Sequence, residues 1–352
     1  MHVFENSPSH ENKRPIRRNI GLLYGLLLIG NGVAWVGAFV AFGSRPALMG
    51  LAMLAYSFGL RHALDADHIA AIDNVTRKMM QAGKQPLTVG LMFSLGHSTI
   101  VVLATACIAT AAGALHPRLT MLASVGSIAG TLISALFLFA VALTNATVLL
   151  SVVRAYVRVR RGGLAASQVP DASMLTTGLL ARVLRPLLAL TTRTWHMYAL
   201  GLLFGLGFDT ATEIAMLSLS ASQAAHGMPL WAILVFPALF TAAMTWVDTT
   251  DGLLMVGAYG WAFVDATRKL YYNMAITALS VLVAIAIASI EALRLLSDTL
   301  SFGGGTWRAI ERASDGFSWV GAAIVCLFML AWGAAVIARR ARLANSAAPV
   351  RG

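Results

Sequence analysis

Hydrophobic and polar positions divide the chain into eight long apolar stretches separated by polar segments. A helix needs about 20 apolar residues to cross the hydrocarbon core of a bilayer, and each stretch reaches that length. Strands are excluded, because in lipid a single strand cannot satisfy its own backbone hydrogen bonds. The sequence therefore predicts an all-α fold, a polytopic transmembrane helix bundle with eight spans. We place the spans at 20–43, 47–73, 86–113, 121–153, 197–221, 229–260, 272–292 and 316–338.

The polar segments define the rest of the domain organisation. We expect residues 1–19 to form a cytoplasmic N-terminal tail, since this leader is too polar to begin a cleavable signal peptide. Residues 20–338 form a single eight-helix transmembrane domain, and 339–352 form a cytoplasmic C-terminal tail. The longest segment between spans, at about 154–196, is rich in arginine and too short to build a core of its own.

Composition agrees with a membrane protein, since 58% of the 352 residues are hydrophobic, 12% are charged and the mean hydropathy is +0.74. The formal net charge of +11 could point to nucleic acid, but the cationic residues follow the loops. Of the 26 Lys and Arg, 20 lie in the two tails and in the segments 73–86, 154–196 and 261–271, whereas five lie in the alternate loops. This positive-inside pattern predicts that both termini are cytoplasmic. The expected partner is the lipid bilayer of the cell membrane, and no nucleic acid is expected.

Six acidic residues lie in or beside the predicted spans, although the chain has only 15 in total. Each costs about 2.5–3.5 kcal/mol at the middle of a bilayer. Six carboxylates exposed to lipid would therefore exceed the stability of a typical fold. These side chains must face one another or a cation. They are Asp65, Asp67, Asp209, Glu213, Asp248 and Asp251.

The stretch RHALDADHI in the second predicted span concentrates ionisable groups. On a continuous helix, at about 100° per residue, His62, Asp65 and His68 fall within one arc of about 120°. Asp67 points away from that arc, and the three other side chains can converge on one point. A local alternative is an ion pair between Arg61 and Asp65 at i,i+4, with the histidines merely hydrogen-bonded. That alternative accounts for only one of the carboxylates.

Three further motifs place comparable groups in other spans. FSLGHST puts His97 in the third span, next to a glycine that permits a close helix approach. LGFDTATE puts Asp209 and Glu213 on one helix face at i,i+4 in the fifth span. TWVDTTDG puts Asp248 and Asp251 at i,i+3 in the sixth. Imidazoles mixed with carboxylates favour a borderline divalent transition metal, whereas magnesium prefers oxygen alone and copper(I) prefers thiolates.

The motifs HALDADHI, FSLGHST, LGFDTATE and TWVDTTDG closely resemble, in order and in spacing, the signatures of the nickel/cobalt transporter family, the NiCoT permeases. The resemblance covers nearly the whole membrane portion. It implies uptake of Ni(II) or Co(II) across the cytoplasmic membrane, with His62, Asp65, Asp67 and His68 at the matched positions of the signature. The full set of predicted metal ligands is His62, Asp65, Asp67, His68, His97, Asp209, Glu213, Asp248 and Asp251.

A permease that works without ATP fits this resemblance, because none of the four lysines lies in a GxxxxGK[ST] phosphate loop. We expect no enzyme activity and no resident cofactor, since the metal ion is the transported substrate. The sequence leaves open the choice between nickel and cobalt, the coupling ion and any auxiliary subunit.

Two other classes of protein remain open on the residues alone. An efflux permease for divalent transition metals could use the same ligands, although exporters often carry a histidine-rich cytoplasmic loop and 154–196 contains only His196. A membrane-embedded metalloenzyme of the di-iron type needs several histidine pairs at HxxxH or HxxHH spacing. His62 and His68 are the only close pair in this chain.

Two of the polar motifs also resemble each other. FGLRHALDADHIA (58–70) and FGLGFDTATEIA (204–215) share FGL, then an acid, then a ligand-type residue followed by Ile-Ala. By the charge pattern, the second span runs from outside to inside and the fifth runs from inside to outside. The similarity therefore predicts an inverted repeat, with the binding site where the two copies meet.

Overall fold

The computed structural model describes residues 13–111, 116–160, 192–206, 211–262, 266–300, 304–316, 319–324 and 326. Within these residues the chain is helical and contains no strand, as the apolar pattern predicts. The helices are α1 (Lys13–Phe42), α2 (Pro46–His62), α3 (Ala66–Gln81), α4 (Val89–Ala111), α5 (His116–Arg160), α6 (His196–Gly205), α7 (Ala211–Ala225), α8 (Leu230–Ile233), α9 (Val235–Ala262), α10 (Ala266–Leu300) and α11 (Gly305–Asp315).

The described residues contain up to six helical segments that are long and apolar enough to cross a membrane. Five of them belong to α1, α4, α5, the α8–α9 segment and α10, and the bent pair of α2 and α3 makes the sixth. The eight spans and the cytoplasmic placement of both termini stay predictions. The eighth predicted span, 316–338, falls mostly outside the described residues, as do both tails and most of the basic loop after 160.

The second predicted span is not one continuous helix. The chain bends by 51° where α2 ends at His62 and α3 begins at Ala66, so the continuous helix expected over 47–73 is wrong. Asp65 has an extended backbone, with φ −65° and ψ 140°, and its amide donates to the carbonyl of His62 at 2.9 Å. Aspartate competes with helical backbone hydrogen bonding, which favours an interruption at this position.

A helix also ends inside the fifth predicted span, 197–221. α6 ends at Gly205, α7 begins at Ala211, and residues 207–210 lie outside the described part of the chain. α6 has ten residues, and at about 1.5 Å per residue it covers about half the thickness of a bilayer core. In both spans the interruption therefore lies beside the acidic motif.

The bundle consists of two similar halves, each made of a broken helix followed by two long helices. We call α2–α5 the first half, and α6–α10 the second half. α5 packs against α10 and α4 against α9, so equivalent helices meet in pairs. The broken helix of each half also packs on the other half, α2 and α3 against α9, and α6 and α7 against α4. Two long helices separate the broken helices along the chain, so in the predicted eight-span topology the second half runs in the opposite direction, as an inverted repeat requires.

Glycines set the close packing between the halves. A Cβ atom on Gly59 of α2 would overlap the carbonyl oxygen of Phe240 on α9. The equivalent contact is made by Gly201 of α6, where a Cβ atom would overlap the carbonyl oxygen of Phe93 on α4. Small residues of this kind let helix backbones approach in the absence of a hydrophobic driving force. The two broken helices are therefore held directly against the long helices of the opposite half.

α1 lies outside the two halves, against α9 and α2. Its outer face is apolar and exposed, with Leu26, Val33 and Val40 each more than half accessible, as expected for a surface in contact with lipid. On its inner face, the Asn31 amide donates to the carbonyl of Ala242 at 3.2 Å. Tyr56 donates to the Asn31 side-chain oxygen at 2.9 Å. Asn31 therefore joins α1, α2 and α9 by hydrogen bonds.

Candidate metal site

Three buried histidines from the first half meet at the break between α2 and α3. His62 ends α2, His68 is the third residue of α3, and His97 lies on α4. Their exposed fractions are 1%, 0% and 2%, and one nitrogen from each ring lies within 4.8 Å of the others. The ring centroids are 4.6–4.8 Å apart. Three imidazoles in mutual contact inside an apolar bundle are a potential site for a metal ion.

Asp65 orients His62. The Nδ1 atom of His62 is 3.1 Å from Oδ2 of Asp65, and in the tautomer that donates Nδ1–H to this carboxylate the lone pair is on Nε2. Asp65 is also the N-cap residue of α3, yet its side chain forms no capping hydrogen bond. A cap is worth about 1 kcal/mol, so the helix forfeits that stabilisation while the carboxylate holds the imidazole. Histidine ligands of metal ions commonly have such a carboxylate partner.

A second carboxylate faces His68 from the opposite half. The Nδ1 atom of His68 is 3.4 Å from Oδ2 of Asp248 on α9. Ser94 of α4 donates to the same oxygen at 2.5 Å, which fixes the carboxylate between three helices. Among the described residues, His68 Nε2 has no hydrogen-bond partner. The second ring nitrogen of His68 is therefore available to an ion.

His97 joins the histidines to α7. Its Nε2 atom is 2.7 Å from Oε1 of Glu213 and 2.9 Å from Nε2 of His62. Glu213 is the third residue of α7, so its carboxylate lies just after the interruption in the fifth predicted span. A Cβ atom on Gly96 would overlap the carbonyl oxygen of Tyr198 on α6, which shows how closely α4 and α6 approach at this level.

The spacing of the nitrogens is that of a hydrogen bond, and it also fits two ligands of one dication. First-row metals hold imidazole nitrogens at about 2.0–2.1 Å, so two nitrogens at right angles around one ion are about 2.9 Å apart. The Nε2 atoms of His62 and His97 are 2.9 Å apart. Rings of Phe240 and Phe93 cover the imidazoles, with centroids 5.4 Å from His62 and 4.8 Å from His68. An ion at this position would therefore be enclosed by nitrogen, carboxylate and aromatic groups.

Six of the nine predicted ligands come together in one cluster, which we call the histidine site: His62, Asp65, His68, His97, Glu213 and Asp248. The convergence of His62, Asp65 and His68 was predicted, but the argument from one continuous helix was wrong, since the chain bends between them. The alternative ion pair at i,i+4 is not formed, because Arg61 is exposed and Asp65 faces His62.

The other three predicted ligands have different positions. Asp67 is half-buried in the first turn of α3, and its negative charge acts on His62. Asp251 lies one turn beyond Asp248 on α9, and neither of its side-chain oxygens has a hydrogen-bond partner among the described residues. Asp209 lies outside the described residues.

Ser94 is the residue of the histidine site that sequence reasoning missed. It precedes His97 by three positions in FSLGHST, so both residues share one face of α4. The sequence shows this spacing. It does not show the partner of Ser94, because the hydrogen bond from Ser94 to Asp248 joins residues 154 positions apart.

Comparison with known proteins places this geometry in context. A family model named NicO, described as high-affinity nickel-transport protein, matches residues 48–338. A high-affinity nickel transport protein of Cupriavidus necator is 52% identical over 93% of each chain. The nickel transporter NicT of Mycobacterium tuberculosis is 40% identical over 90% of this chain and 88% of its own, and the cobalt transport protein NhlF of Rhodococcus rhodochrous is 36% identical over 92% and 93%. No solved structure matches.

Proposed function

The chain belongs to the NicO family of high-affinity nickel-transport proteins, and on that premise we propose that it is a secondary permease for Ni(II), Co(II) or both. In this proposal the protein carries the ion into the cell across the cytoplasmic membrane. The relatives that support the proposal are transport proteins and not enzymes. They include a nickel transporter and a cobalt transport protein. High-affinity transport suits the capture of a scarce ion, so efflux is not favoured.

The convergence of three buried imidazoles is the observation that carries the proposal. Mixed nitrogen and oxygen donors favour borderline dications such as Ni(II) and Co(II) over Mg(II) and Ca(II), which prefer oxygen. Carboxylates beside His62 and His68 fix the ring orientation and raise the basicity of the free nitrogen. The site therefore combines selectivity for a transition metal with ligands that are oriented before the ion arrives.

The location of the site between the halves supports transport by movement of one half against the other. All three imidazoles belong to the first half, whereas Glu213 and Asp248 belong to the second. In transporters built from inverted repeats, substrate sites lie at the repeat interface, beside interrupted helices. If the halves separate on the outer side of the membrane, the ion can enter the site. If they separate on the cytoplasmic side, the ion can leave it.

The membrane potential supplies enough energy for uptake. A dication that enters a cell at about −100 mV gains about 4.6 kcal/mol, because each charge gains about 2.3 kcal/mol. That energy corresponds to about a thousandfold concentration ratio. A potential-driven permease therefore needs no ATP to scavenge nickel or cobalt.

Uptake of radioactive metal tests the proposal. Cells that lack their own nickel importer should accumulate nickel-63 and cobalt-57 when they produce this protein, and the His68→Ala variant should return accumulation to background. His226→Ala is the matched control, because His226 is exposed, follows the end of α7 and, among the described residues, its side chain bonds only the carbonyl of Ser222 on that helix. Both variants are compared at equal protein level in the membrane.

The same measurement identifies the competing functions. Loss of metal from producing cells would indicate an efflux permease, and unchanged metal content would point to a membrane-embedded enzyme. Either result would overturn the proposal.

A further inference from the structure

The start of the eighth predicted span packs against the bundle through one face. Residues 319–324 are helical. Gly321 and Ile324 are buried, whereas Trp319 and Val320 are 80% and 44% exposed. Residues three positions apart are neighbours on the surface of a helix. The segment therefore meets the rest of the bundle through the face that carries Gly321 and Ile324.

Gly321 lies directly against the break between α2 and α3. A Cβ atom on Gly321 would overlap the carbonyl oxygen of Leu64 and would lie 2.7 Å from Cδ1 of Ile69. Leu64 immediately precedes Asp65, and Ile69 immediately follows His68. The two contacts of Gly321 are therefore with residues adjacent along the chain to two members of the histidine site.

The two contacts differ in how they yield to an added side chain. Cδ1 of Ile69 is the end of a flexible side chain, and a small cavity lined by Ile69 and Ile324 lies beside it. That side chain can rotate away from a methyl group at position 321. The carbonyl oxygen of Leu64 belongs to the backbone, so it moves only if the break itself moves.

The peptide unit between Leu64 and Asp65 connects Gly321 to His62. A peptide unit is planar and moves as one rigid body. Its oxygen faces Gly321, and its N–H, which belongs to Asp65, donates to the carbonyl of His62 at 2.9 Å. The carboxylate of Asp65 also lies 3.1 Å from Nδ1 of His62. A shift of this peptide therefore disturbs both contacts between Asp65 and His62.

We propose that Gly321 is a positioning residue of the histidine site. Because it has no side chain, the eighth predicted span can rest on the peptide between Leu64 and Asp65, and this contact sets the orientation of the His62 ring through Asp65. The inference rests on the proposed transport function. Gly321 makes no contact with the ion in this account, and its effect on binding passes through the backbone of the break.

The affinity of the purified full-length protein for Ni(II) tests the proposal. Gly321→Ala should weaken Ni(II) binding about tenfold or more, because loss of a group that orients a histidine ligand typically costs about 10–100-fold in metal affinity. Competition with a coloured chelator measures this affinity. The visible absorption spectrum of bound Co(II) depends on ligand geometry, so it should differ between Gly321→Ala and the unsubstituted protein.

Transport kinetics add a second readout. In cells that produce Gly321→Ala, the apparent KM for nickel should rise, while the maximal rate per folded molecule stays close to that of the unsubstituted protein. A purely structural role for Gly321 would instead lower the amount of folded protein and leave the affinity of the folded fraction and the Co(II) spectrum unchanged. That outcome would overturn the proposal.

Ala323→Val is the matched control, because Ala323 lies in the same helical segment but is exposed. It adds bulk away from the break and should change neither Ni(II) affinity nor the Co(II) spectrum. Equal weakening in Ala323→Val and Gly321→Ala would attribute the effect to a general disturbance of the span and would contradict a specific role for Gly321.

Ile324→Ala keeps the proposal testable if Gly321→Ala does not fold. Ile324 belongs to the same buried cluster as Ile69, so its truncation loosens the contact with the break and should weaken Ni(II) binding severalfold. Unchanged affinity in Ile324→Ala would then overturn the proposal. His68→Ala separates the two proposals: full Ni(II) affinity in that variant refutes the histidine site, whereas lost affinity there with full affinity in Gly321→Ala refutes only the positioning role.

Discussion

The two halves of the bundle share an architecture but supply different chemistry to the site between them. Each half has a broken helix followed by two long helices. The first half provides three imidazoles, whereas the second provides the carboxylates of Glu213 and Asp248. Asp65 adds one carboxylate from the first half, beside His62. In the proposed function, the site for the transition metal therefore draws on both halves.

The equivalence of the halves extends to single positions. His68 is the third residue of α3 and Glu213 is the third residue of α7, and each is followed by Ile-Ala. Each faces a long helix of the opposite half, His68 toward Asp248 on α9 and Glu213 toward His97 on α4. The two contacts are both imidazole–carboxylate pairs, with the two groups exchanged between the halves. Equivalent positions of the two halves therefore carry complementary groups, an imidazole in the first half and a carboxylate in the second.

Removal of an imidazole from the first half should have the largest effect. We predict that His62→Ala and His68→Ala each reduce nickel uptake to background while the protein still reaches the membrane, because each removes a nitrogen donor from a converged site. Radiolabelled nickel uptake at matched protein level measures the effect. Near-normal accumulation in either variant would exclude that histidine as a ligand.

Neutralisation of a carboxylate in the second half should have a smaller effect. We predict that Glu213→Gln raises the apparent KM for nickel about 10–100-fold, the range typical of lost carboxylate partners at metal sites. The amide preserves the shape of the side chain but removes its charge beside His97. Uptake measured over a range of nickel concentrations checks this. Glu291→Gln is the matched control, because Glu291 of α10 is another buried carboxylate, which accepts a hydrogen bond from Ser134 on α5. An equal effect of both changes would mean that total buried charge, not the site, determines affinity.

Loss of the hydroxyl at Ser94 should have a modest effect, because Ser94 positions Asp248 and does not itself face the imidazoles. A hydrogen bond to a charged group contributes about 1.5–3 kcal/mol, and loss of orientation transmits only part of that to the ion. We predict a severalfold higher apparent KM for nickel in Ser94→Ala. Ser94→Thr, which keeps the hydroxyl, should recover part of the affinity, and no recovery would argue against a positioning role.

Changes at the glycine contacts should affect stability while leaving transport per folded molecule nearly unchanged. Gly59→Ala and Gly201→Ala place a methyl group against a carbonyl oxygen of the opposite half. Overpacking of this kind costs about 1–3 kcal/mol. Thermal unfolding in detergent measures the loss. Gly50→Ala in α2 is the control, since nothing lies within 4 Å of its added Cβ atom, and an equal loss there would refute the packing argument.

The sequence predicts the long spans well, because each requires about 20 apolar residues in succession, and a segment such as 89–110 satisfies that rule over its whole length. It also identifies the histidines and acids, since ionisable groups are rare in such segments. The break at Asp65 could not be predicted from hydropathy, because apolar residues lie on both sides of it, although the aspartate itself favours an interruption. A hydropathy profile does not show where the backbone changes direction.

The distances between helices could not be predicted from the sequence either. Asp248 and Asp251 share a helix face by their spacing, yet among the described residues Asp248 faces an imidazole, whereas the side-chain oxygens of Asp251 have no hydrogen-bond partner. The difference depends on how α3 and α9 pack, which is a property of the whole bundle.

The break between α2 and α3 brings two helix ends into the membrane interior, and each end carries a partial charge of about half an electron. The C-terminal end of α2, at His62, is negative and attracts a cation. The N-terminal end of α3 is positive, but Asp65 and Asp67 lie at its cap and in its first turn. In the proposed function, these two acids offset the repulsion of that helix end, so Asp67 contributes without contact to the ion. A dication that enters the site then meets the attractive end of one dipole and a neutralised end of the other.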